Sequence, residues 1–225
     1  MCFLPKAKGR IAKPHLPRCV WKSAATASAD LLCLLSAMAK PEQPAHEGSG
    51  ALFERRYYVD IEHPMQSADA LIEAIKCDVE HFSPDLLADF KKVKGEAHLI
   101  KEGDEFSIKI LGPWNGLVRV DKVENMGFEF VTLEGHPEAG RIRFSLRHLP
   151  NQPDTLRFEI HSWARSRDGL VSFAYDTLGI GRRVQEKTWC TFCERVAEAS
   201  GGKVLEPVHI ETIDHDHDTV EKKHG

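Results

Sequence analysis

The sequence lacks the features that mark several specialised classes of protein. Its longest apolar run, Leu31–Leu35, is far shorter than the roughly 18 residues that a membrane-spanning helix needs. The formal net charge is only −4 over 225 residues, so no excess of either sign calls for a nucleic-acid partner. No segment repeats at a fixed spacing. We therefore expect neither a membrane span, nor nucleic-acid binding, nor a repeat array.

Cysteine is sparse and follows no pattern. The six cysteines show neither the spacing of a disulfide framework nor that of a zinc site. Cys77 and Cys193 fall on the apolar faces of predicted helices, where a reduced thiol packs as a small apolar side chain. The pattern favours a reducing, cytoplasmic location, and it predicts no cofactor and no metal centre.

Charge and composition divide the chain into three parts. Residues 1–50 open with a basic, acid-poor stretch and close with one rich in Pro and Gly, which predicts a disordered leader and linker. We interpret the leader as the result of a translation start assigned too early, with Met38 as the true start; an organelle-targeting peptide and a disordered native tail are the alternatives. Residues 51–200 hold the folded domain, and residues 201–225 predict a flexible, acidic, His-containing tail.

Hydrophobic periodicity predicts the elements of the domain. Alternation around Val59 predicts a first strand, and Ser67 and Ser83 are positioned to cap two short helices. Strand patterns run from about Phe106 to Trp163. A long helix follows, whose apolar face carries Trp189, Phe192, Cys193, Val196 and Ala197. We expect an α+β fold: a curved antiparallel sheet of six to seven strands wrapped around this C-terminal helix, with two short helices after the first strand.

Several segments together carry a family resemblance. Residues 127–140 read GFEFVTLEGHPEAG, an apolar strand and Phe158-Glu159-Ile160 follow, and the last helix opens with residues 182–185, RRVQ. In this order, over residues 51–200, the chain resembles an uncharacterised family of the START-like (SRPBCC) superfamily, and the Thr-Leu-x-Gly-His-Pro-Glu motif is the most specific part. The resemblance implies the helix-grip fold with a hydrophobic cavity between sheet and helix. Members of the superfamily include lipid and hormone binders, polyketide cyclases and aromatases, and chaperone activators.

Aromatic residues concentrate in the elements that would enclose such a cavity. A curved sheet with one helix does not fill its own concavity, and large aromatic side chains around an incompletely filled space form an apolar pocket. A basic residue at a helix N-terminus opposes the helix dipole, so Arg182 needs another partner, such as an acidic ligand group or Glu159. The leading hypothesis is binding of a hydrophobic, lipid-like or aromatic small molecule. The expected ligand-binding residues are Trp114, Phe128, Phe130, Phe144, Phe158, Arg182, Trp189 and Phe192.

Two other functions stay open. An enzyme of the cyclase, hydratase or hydrolase kind would use His136 as a base, oriented by Glu138, although the same residues also suit a hairpin loop. His161 and Glu159 are further candidates for proton transfer. An interaction module resembling chaperone activators would instead have a filled cavity and an exposed apolar patch.

Two short motifs imitate known sites. Cys190 and Cys193 have thioredoxin-like spacing but fall well inside the predicted helix, so packing is the favoured role. Residues 214–218, DHDHD, offer five successive metal ligands, but consecutive residues on a tail rarely make a rigid site, so a solvated tail is favoured.

Overall fold

The computed structural model describes residues 40–84, 88–110, 115–168 and 180–225. Within these ranges the chain is an α+β fold, with ten strands in one antiparallel sheet and three α-helices. The strands are β1 (Ser49–Glu62), β2 (Ala88–Lys94), β3 (Glu105–Ile110), β4 (Asn115–Glu124), β5 (Gly127–Thr132), β6 (Glu138–Leu149), β7 (Gln152–Ser166), β8 (Lys203–Val204), β9 (His209–Asp214) and β10 (Thr219–His224). The helices are α1 (Ala68–Cys77), α2 (Val79–Phe82) and α3 (Ile180–Ser200), and a 3₁₀ turn covers Ala45–Glu47.

The sheet runs in the order β10-β9-β1-β7-β6-β5-β4-β3-β2, and β8 also pairs with β1. Irregular pairings between β2 and β3, between β4 and β5, and at the turn from β6 to β7 interrupt the ladder. Such irregularities bend strands and increase twist. The register places Val59 opposite Phe158 and Phe144 opposite Ile160, so the apolar residues of β1, β6 and β7 share one inner face.

Helix α3 packs against the inner face of the sheet. Phe192, Cys193 and Val196 are fully buried in the same core as the inner residues of β1 and β7. Cys193 Sγ lies 3.9 Å from the carbonyl oxygen of Tyr57, which places the middle of the helix directly over β1. The amphipathic pattern of the last helix therefore predicted its burial correctly.

Two parts of the expected fold after the first strand need correction. The expected cap of α1 is confirmed, since Ser67 Oγ accepts a hydrogen bond from the backbone N–H of Ala70. The second helix, α2, is a single turn capped by Asp78 and lies before Ser83. Strand β2 occupies residues 88–94, where the sequence predicted a second helix starting at the Ser83 cap. Phe90 of β2 is buried opposite Ile108 of β3, so pairing with a distant strand overrides the local helical pattern.

The strand count exceeds the expected six to seven because β2 and three C-terminal strands join the sheet. For residues 201–225 the sequence predicted a flexible tail, whereas the structure has β8, β9 and β10 there. Val208 and Ile210 are buried, and β9 pairs along β1. The alternation of apolar and polar residues in β9 and β10 is short and rich in charged residues, so the composition of this segment concealed the strands. In the predicted linker, Gln43 is buried and β1 begins at Ser49; residues 1–39, with Met38, lie outside the described residues.

The cysteines of the described segments differ in state. Cys190 and Cys193 are free and buried. Cys77 is disulfide-bonded, which contradicts the packed, reduced thiol expected there. In the part of the chain that the structure covers, no helix has the length and apolar character needed to cross a membrane.

Candidate functional site

Six of the eight residues expected to bind ligand come together on the inner face. They form one aromatic cluster in which Phe128 and Phe144 stack at 4.8 Å, and Phe158 and Phe192 stack at 5.7 Å between ring centroids. The five phenylalanines are at most 1% exposed and the indole-bearing residue is 8% exposed. The cluster consists of Phe128, Phe130, Phe144, Phe158, Trp189 and Phe192. Trp114 lies outside the described residues. Arg182 belongs to α3, but the described part of the structure does not include its side chain.

A buried polar group borders this cluster. Arg55 of β1 is 7% exposed, and its Nη1 lies 3.5 Å from Oε1 of Glu138. The amide of Gln185, on α3, donates to Oε2 of Glu138 over 3.0 Å. Burial raises the pKa of Glu138, while Arg55 and Gln185 work against that rise. Glu138 thus links Arg55, within the sheet, to Gln185 on helix α3, in a partly buried position.

Five buried polar atoms near this group have no hydrogen-bond partner in the described part of the chain. Arg55 and Tyr57 are alternate residues on the inner side of β1, and Ser162 stands opposite Arg55 on β7. Gln185 and Trp189 are one turn apart on α3, so they face the same direction. The atoms are Arg55 Nε, Tyr57 Oη, Ser162 Oγ, Gln185 Oε1 and Trp189 Nε1.

Leaving these atoms unpaired is costly. A buried donor or acceptor without a partner costs about 1–3 kcal/mol, so native proteins keep few of them. Burial also raises the pKa of Tyr57, which keeps its hydroxyl protonated and able to donate. An arrangement that gathers several such atoms beside an apolar surface is suited to a molecule that brings its own oxygen atoms.

His136 has a structural position. Its imidazole is buried, and Nδ1 lies 3.0 Å from the backbone nitrogen and 2.9 Å from the backbone oxygen of Glu138. A Cβ atom added at Gly116 would lie 2.0 Å from Cδ2 of this ring, so the loop and β4 are tightly packed. Burial lowers the pKa of His136 to about 4. The carboxylate of Glu138 binds Arg55 and Gln185 instead, so the imidazole and Glu138 are connected only through the backbone.

The loop around His136 is held by a residue from the predicted linker. Gln43 Nε2 donates to the carbonyl oxygens of His136 and Glu138 over 2.9 and 3.0 Å, and its Oε1 accepts from the backbone N–H of Gly135. Thr132 adds a bond from its hydroxyl to the Gln43 carbonyl. The Gly-His-Pro-Glu stretch is therefore a loop fixed by hydrogen bonds between its backbone and the side-chain amide of Gln43.

His161 and Glu159 lie on the outer face, away from the aromatic cluster. Nε2 of His161 is 2.7 Å from Oε1 of Glu54, and Nε2 of His215 is 2.9 Å from Oε2. Burial by itself raises the pKa of Glu54, but hydrogen bonds from Arg56, His161 and His215 outweigh it and lower the pKa to about 2. These residues form an outer ion network rather than part of the inner site.

The two cysteines of α3 are poor nucleophiles. Burial raises the pKa of Cys190 to about 11 and that of Cys193 well above its ordinary value. Thiolate chemistry requires the opposite shift. The expectation of packing rather than redox chemistry fits this geometry.

Residues 214–218 are engaged in local contacts. They form the turn between β9 and β10, where Asp214 accepts from His217 and Asp216 pairs with Arg165 over 3.0 Å. The imidazole of His215 contacts the carboxylate of Glu54. Four of the five successive side chains are therefore engaged in separate contacts rather than facing one point.

Two open grooves lie elsewhere. One, of about 360 Å³, includes Leu52, Trp163 and Arg165 on the outer face. The other, of about 300 Å³, lies between α1 and β3 and includes Lys76 and Phe106. None of the residues that line them carries an unpartnered buried polar atom. The inner face is therefore the stronger candidate.

Arg55, Tyr57 and Gln185 were not among the expected site residues. The sequence did contain a signal for Arg55, because it lies two residues before Tyr57 and so falls on the same face of β1 as the buried Tyr57, Val59 and Ile61. An arginine in phase with a core face requires a buried partner. That partner, Glu138, is 83 residues away in sequence, and only the fold identifies it.

Comparison with known proteins gives a family but no activity. A family model described as "Domain of unknown function (DUF1990)" matches residues 57–193. Among curated proteins, none matches the sequence.

Similar solved structures include three proteins at low identity. A hypothetical protein from Helicobacter pylori is 7% identical, with a TM-score of 0.47 over 64% of this chain and 86% of that one. A conserved protein from Geobacillus kaustophilus is 9% identical, with a TM-score of 0.43 over 65% and 96%. Ara h 8.0201 is 10% identical, with a TM-score of 0.40 over 64% and 99%. With TM-scores below 0.5, these similarities carry no argument about function.

Proposed function

This chain belongs to the DUF1990 family, and on that premise we propose that it binds a small, largely apolar molecule with a neutral oxygen acceptor. The molecule lies between helix α3 and the inner face of the sheet, in a helix-grip arrangement. The observation that carries the proposal is the set of five unpartnered buried polar atoms beside the aromatic cluster. Small-molecule sites typically combine a mainly apolar lining with a few polar groups that fix orientation.

The aromatic cluster supports the apolar part of the ligand. Trp189 contacts the rings of Phe90 and Phe144 at 6.4 and 5.8 Å between centroids, with edge-on geometry. Rings in this arrangement present both faces and edges, which suits flat aromatic or aliphatic groups. Trp189 also carries the unpartnered indole N–H, so a single residue borders both parts of the proposed site.

The chemistry of the unpartnered atoms indicates the polar group of the ligand. The guanidinium N–H of Arg55 and the indole N–H of Trp189 only donate, and the Tyr57 hydroxyl is free to donate. Arg55 already faces the carboxylate of Glu138, so a second carboxylate would leave an unbalanced buried charge. A ketone, ester, amide or hydroxyl oxygen satisfies the donors without that cost.

The enzyme alternative has weaker support. Its expected base, His136, is bound to the loop backbone, and its imidazole does not contact the carboxylate of Glu138. A buried carboxyl group with a raised pKa, such as Glu138, is a typical general acid, so this group would carry any proton transfer. The interaction-module alternative stays a prediction.

The cytoplasmic location also stays a prediction. The free thiols of Cys190 and Cys193 agree with a reducing compartment, and the disulfide-bonded Cys77 weighs against it.

A matched pair of probes tests the proposed function. 2-Acetylnaphthalene carries a ketone oxygen, and 2-ethylnaphthalene has nearly the same shape without it. We expect the wild-type protein to bind the ketone about tenfold more tightly, since one good hydrogen bond is worth about 1–1.5 kcal/mol. Tyr57→Phe and Trp189→Phe should each reduce this preference, and Tyr57→Phe should leave hydrocarbon binding nearly unchanged. Binding is measured by ligand fluorescence and by thermal shift.

Trp163→Phe is the matched control, because Trp163 lies in the outer groove. It should bind both probes as the wild-type protein does. If the wild-type protein binds neither probe, apolar-ligand binding is wrong. If it binds both equally, or if Tyr57→Phe and Trp189→Phe keep the full ketone preference, the polar part of the proposal is wrong.

A further inference from the structure

Three side chains of the C-terminal region meet on the outer side of the sheet. Glu206, His209 and His224 each offer one ligand atom, and these atoms all lie within 4.8 Å of one another. Nε2 of His209 is 3.1 Å from Oε2 of Glu206, and the two imidazole centroids are 4.4 Å apart. We propose that these three residues form a binding site for a divalent transition-metal ion such as Zn²⁺.

Strand register brings the two histidines together. Tyr58 pairs with His209 across β1 and β9, and His209 pairs with His224 across β9 and β10. Directly opposed residues of an antiparallel pair lie on the same face, with Cβ atoms about 4.5–5.5 Å apart. Tyr58, His209 and His224 therefore form one row across three strands. Glu206 lies in the bend between β8 and β9 and approaches this row from the loop.

The imidazole of His209 is held in a fixed orientation. It stacks on the ring of Tyr58 at 4.6 Å with an interplanar angle of 6°. The guanidinium of Arg157 lies over the same tyrosine ring at 4.0 Å and also binds Asp60 through two hydrogen bonds. After His224, the N–H of Gly225 donates to the carbonyl of Val208 over 2.8 Å, which secures the end of β10. Metal ligands need this kind of support from neighbouring groups.

The donor set and the spacing fit zinc. Two imidazoles and one carboxylate are common zinc ligands, and a tetrahedral ion with bonds of about 2.0–2.1 Å separates its ligand atoms by about 3.3 Å. The 3.1 Å distance between Glu206 and His209 is close to that value. Three protein ligands leave one position for water or another small ligand. The sequence predicted no metal centre, because these residues have no recognisable spacing until the strands pair.

The site also differs from the more conspicuous DHDHD motif. His215 and His217 each have a carboxylate partner, on Glu54 and Asp214 respectively. Asp216 is paired with Arg165. A metal ion at the motif would have to break these contacts, whereas at Glu206 and the two paired histidines the ligand atoms already converge.

Metal titration of the full chain without an affinity tag tests the proposal. After dialysis against a chelator, Zn²⁺ is titrated by calorimetry, and Co²⁺ is added separately to record the visible absorption of a tetrahedral complex. We expect one Zn²⁺ per chain and a tetrahedral Co²⁺ spectrum. His224→Ala and Glu206→Gln should each weaken Zn²⁺ binding at least tenfold and remove the Co²⁺ spectrum. Both side chains are exposed, and circular dichroism checks that each variant folds.

His217→Ala is the matched control, since it removes an exposed histidine at the other end of the β9–β10 hairpin. It should bind Zn²⁺ as the wild-type protein does. The proposal is wrong if the wild-type protein binds no Zn²⁺, or if folded His224→Ala and Glu206→Gln bind it as tightly as the wild-type protein. A loss of binding in His217→Ala as large as that in His224→Ala would equally overturn it, because the ion would then sit at the DHDHD turn.

Discussion

Burial and hydrogen bonding fix the charge state of two titratable side chains in this protein. His136 is neutral at ordinary pH because burial lowers its pKa to about 4. In Glu54 hydrogen bonding outweighs burial. Burial raises the pKa of Glu54, but hydrogen bonds from three side chains outweigh this effect and lower the pKa to about 2, so the carboxylate stays ionised. Both residues make the folded state sensitive to acid, since the unfolded chain takes up protons that the folded chain excludes.

The first prediction concerns His136. Its folded-state pKa of about 4 lies below the ordinary 6.5, so its contribution to stability is complete above pH 6.5 and is lost as pH falls toward 4. His136→Asn removes this titration. We expect the wild-type free energy of unfolding to fall between pH 7 and pH 4.5 by about 2 kcal/mol more than that of the variant, as measured by urea denaturation.

His46→Asn serves as the control, because the imidazole of His46 is 81% exposed. Its pH dependence should match that of the wild-type protein. Equal pH dependence in His136→Asn and the wild-type protein would show that His136 titrates normally, and the buried, structural role would be wrong.

At the scale of elements, the clearest sequence patterns were the most reliable. Alternation of Ile142, Phe144 and Leu146 predicted β6, and the spacing of Trp189 and Phe192 predicted the buried face of α3. Such patterns succeed because one buried face imposes them directly. The same alternation predicted which aromatic side chains share the inner face.

Elements stabilised by distant partners were missed. Strand β2 pairs with β3, β9 pairs with β1, and β10 pairs with β9. The local composition of these segments resembled a helix and a tail, and only the pairing identifies them as strands. The polar part of the candidate site was missed for a similar reason. The pairing of Arg55 with Glu138, and of His209 with His224, requires a register that single-sequence patterns do not contain.

The second prediction tests whether the C-terminal hairpin belongs to the cooperative core. Ile210 is 3% exposed and pairs with Tyr57, whereas Val220 on the neighbouring strand is 57% exposed. Ile210→Ala should lower the free energy of unfolding by about 2–4 kcal/mol, because it removes buried methyl groups and leaves a cavity. Val220→Ala should change it by less than about 0.5 kcal/mol. Chemical denaturation of both variants measures the difference.

Small, equal effects of the two substitutions would contradict the structure, since they would place the hairpin outside the folded core. A large loss of unfolding free energy in Ile210→Ala alone would also indicate that β9 is held firmly in the fold. The proposed metal site requires this, because His209 is the residue before Ile210 on β9.

At the scale of the whole molecule, one sheet presents two chemically different faces. The inner face combines the aromatic cluster with unpartnered donors on Arg55, Tyr57 and Trp189. The outer face carries ion networks around Glu54 and the row of Tyr58, His209 and His224. Alternation along β1 separates the two, because Arg55 and Tyr57 point inward while Glu54 and Tyr58 point outward. Small-molecule binding and metal binding are therefore independent proposals.

The indole N–H signal of Trp189 tests the central claim most directly. In a two-dimensional ¹⁵N–¹H NMR spectrum, with signals assigned by Trp189→Phe and Trp163→Phe, the Trp189 signal should move when 2-acetylnaphthalene is added, because its unpartnered N–H gains an acceptor. The Trp163 signal, from the outer groove, should stay in place. A Trp189 signal that does not move at saturating ketone, or a shift confined to Trp163, would contradict binding at the inner face.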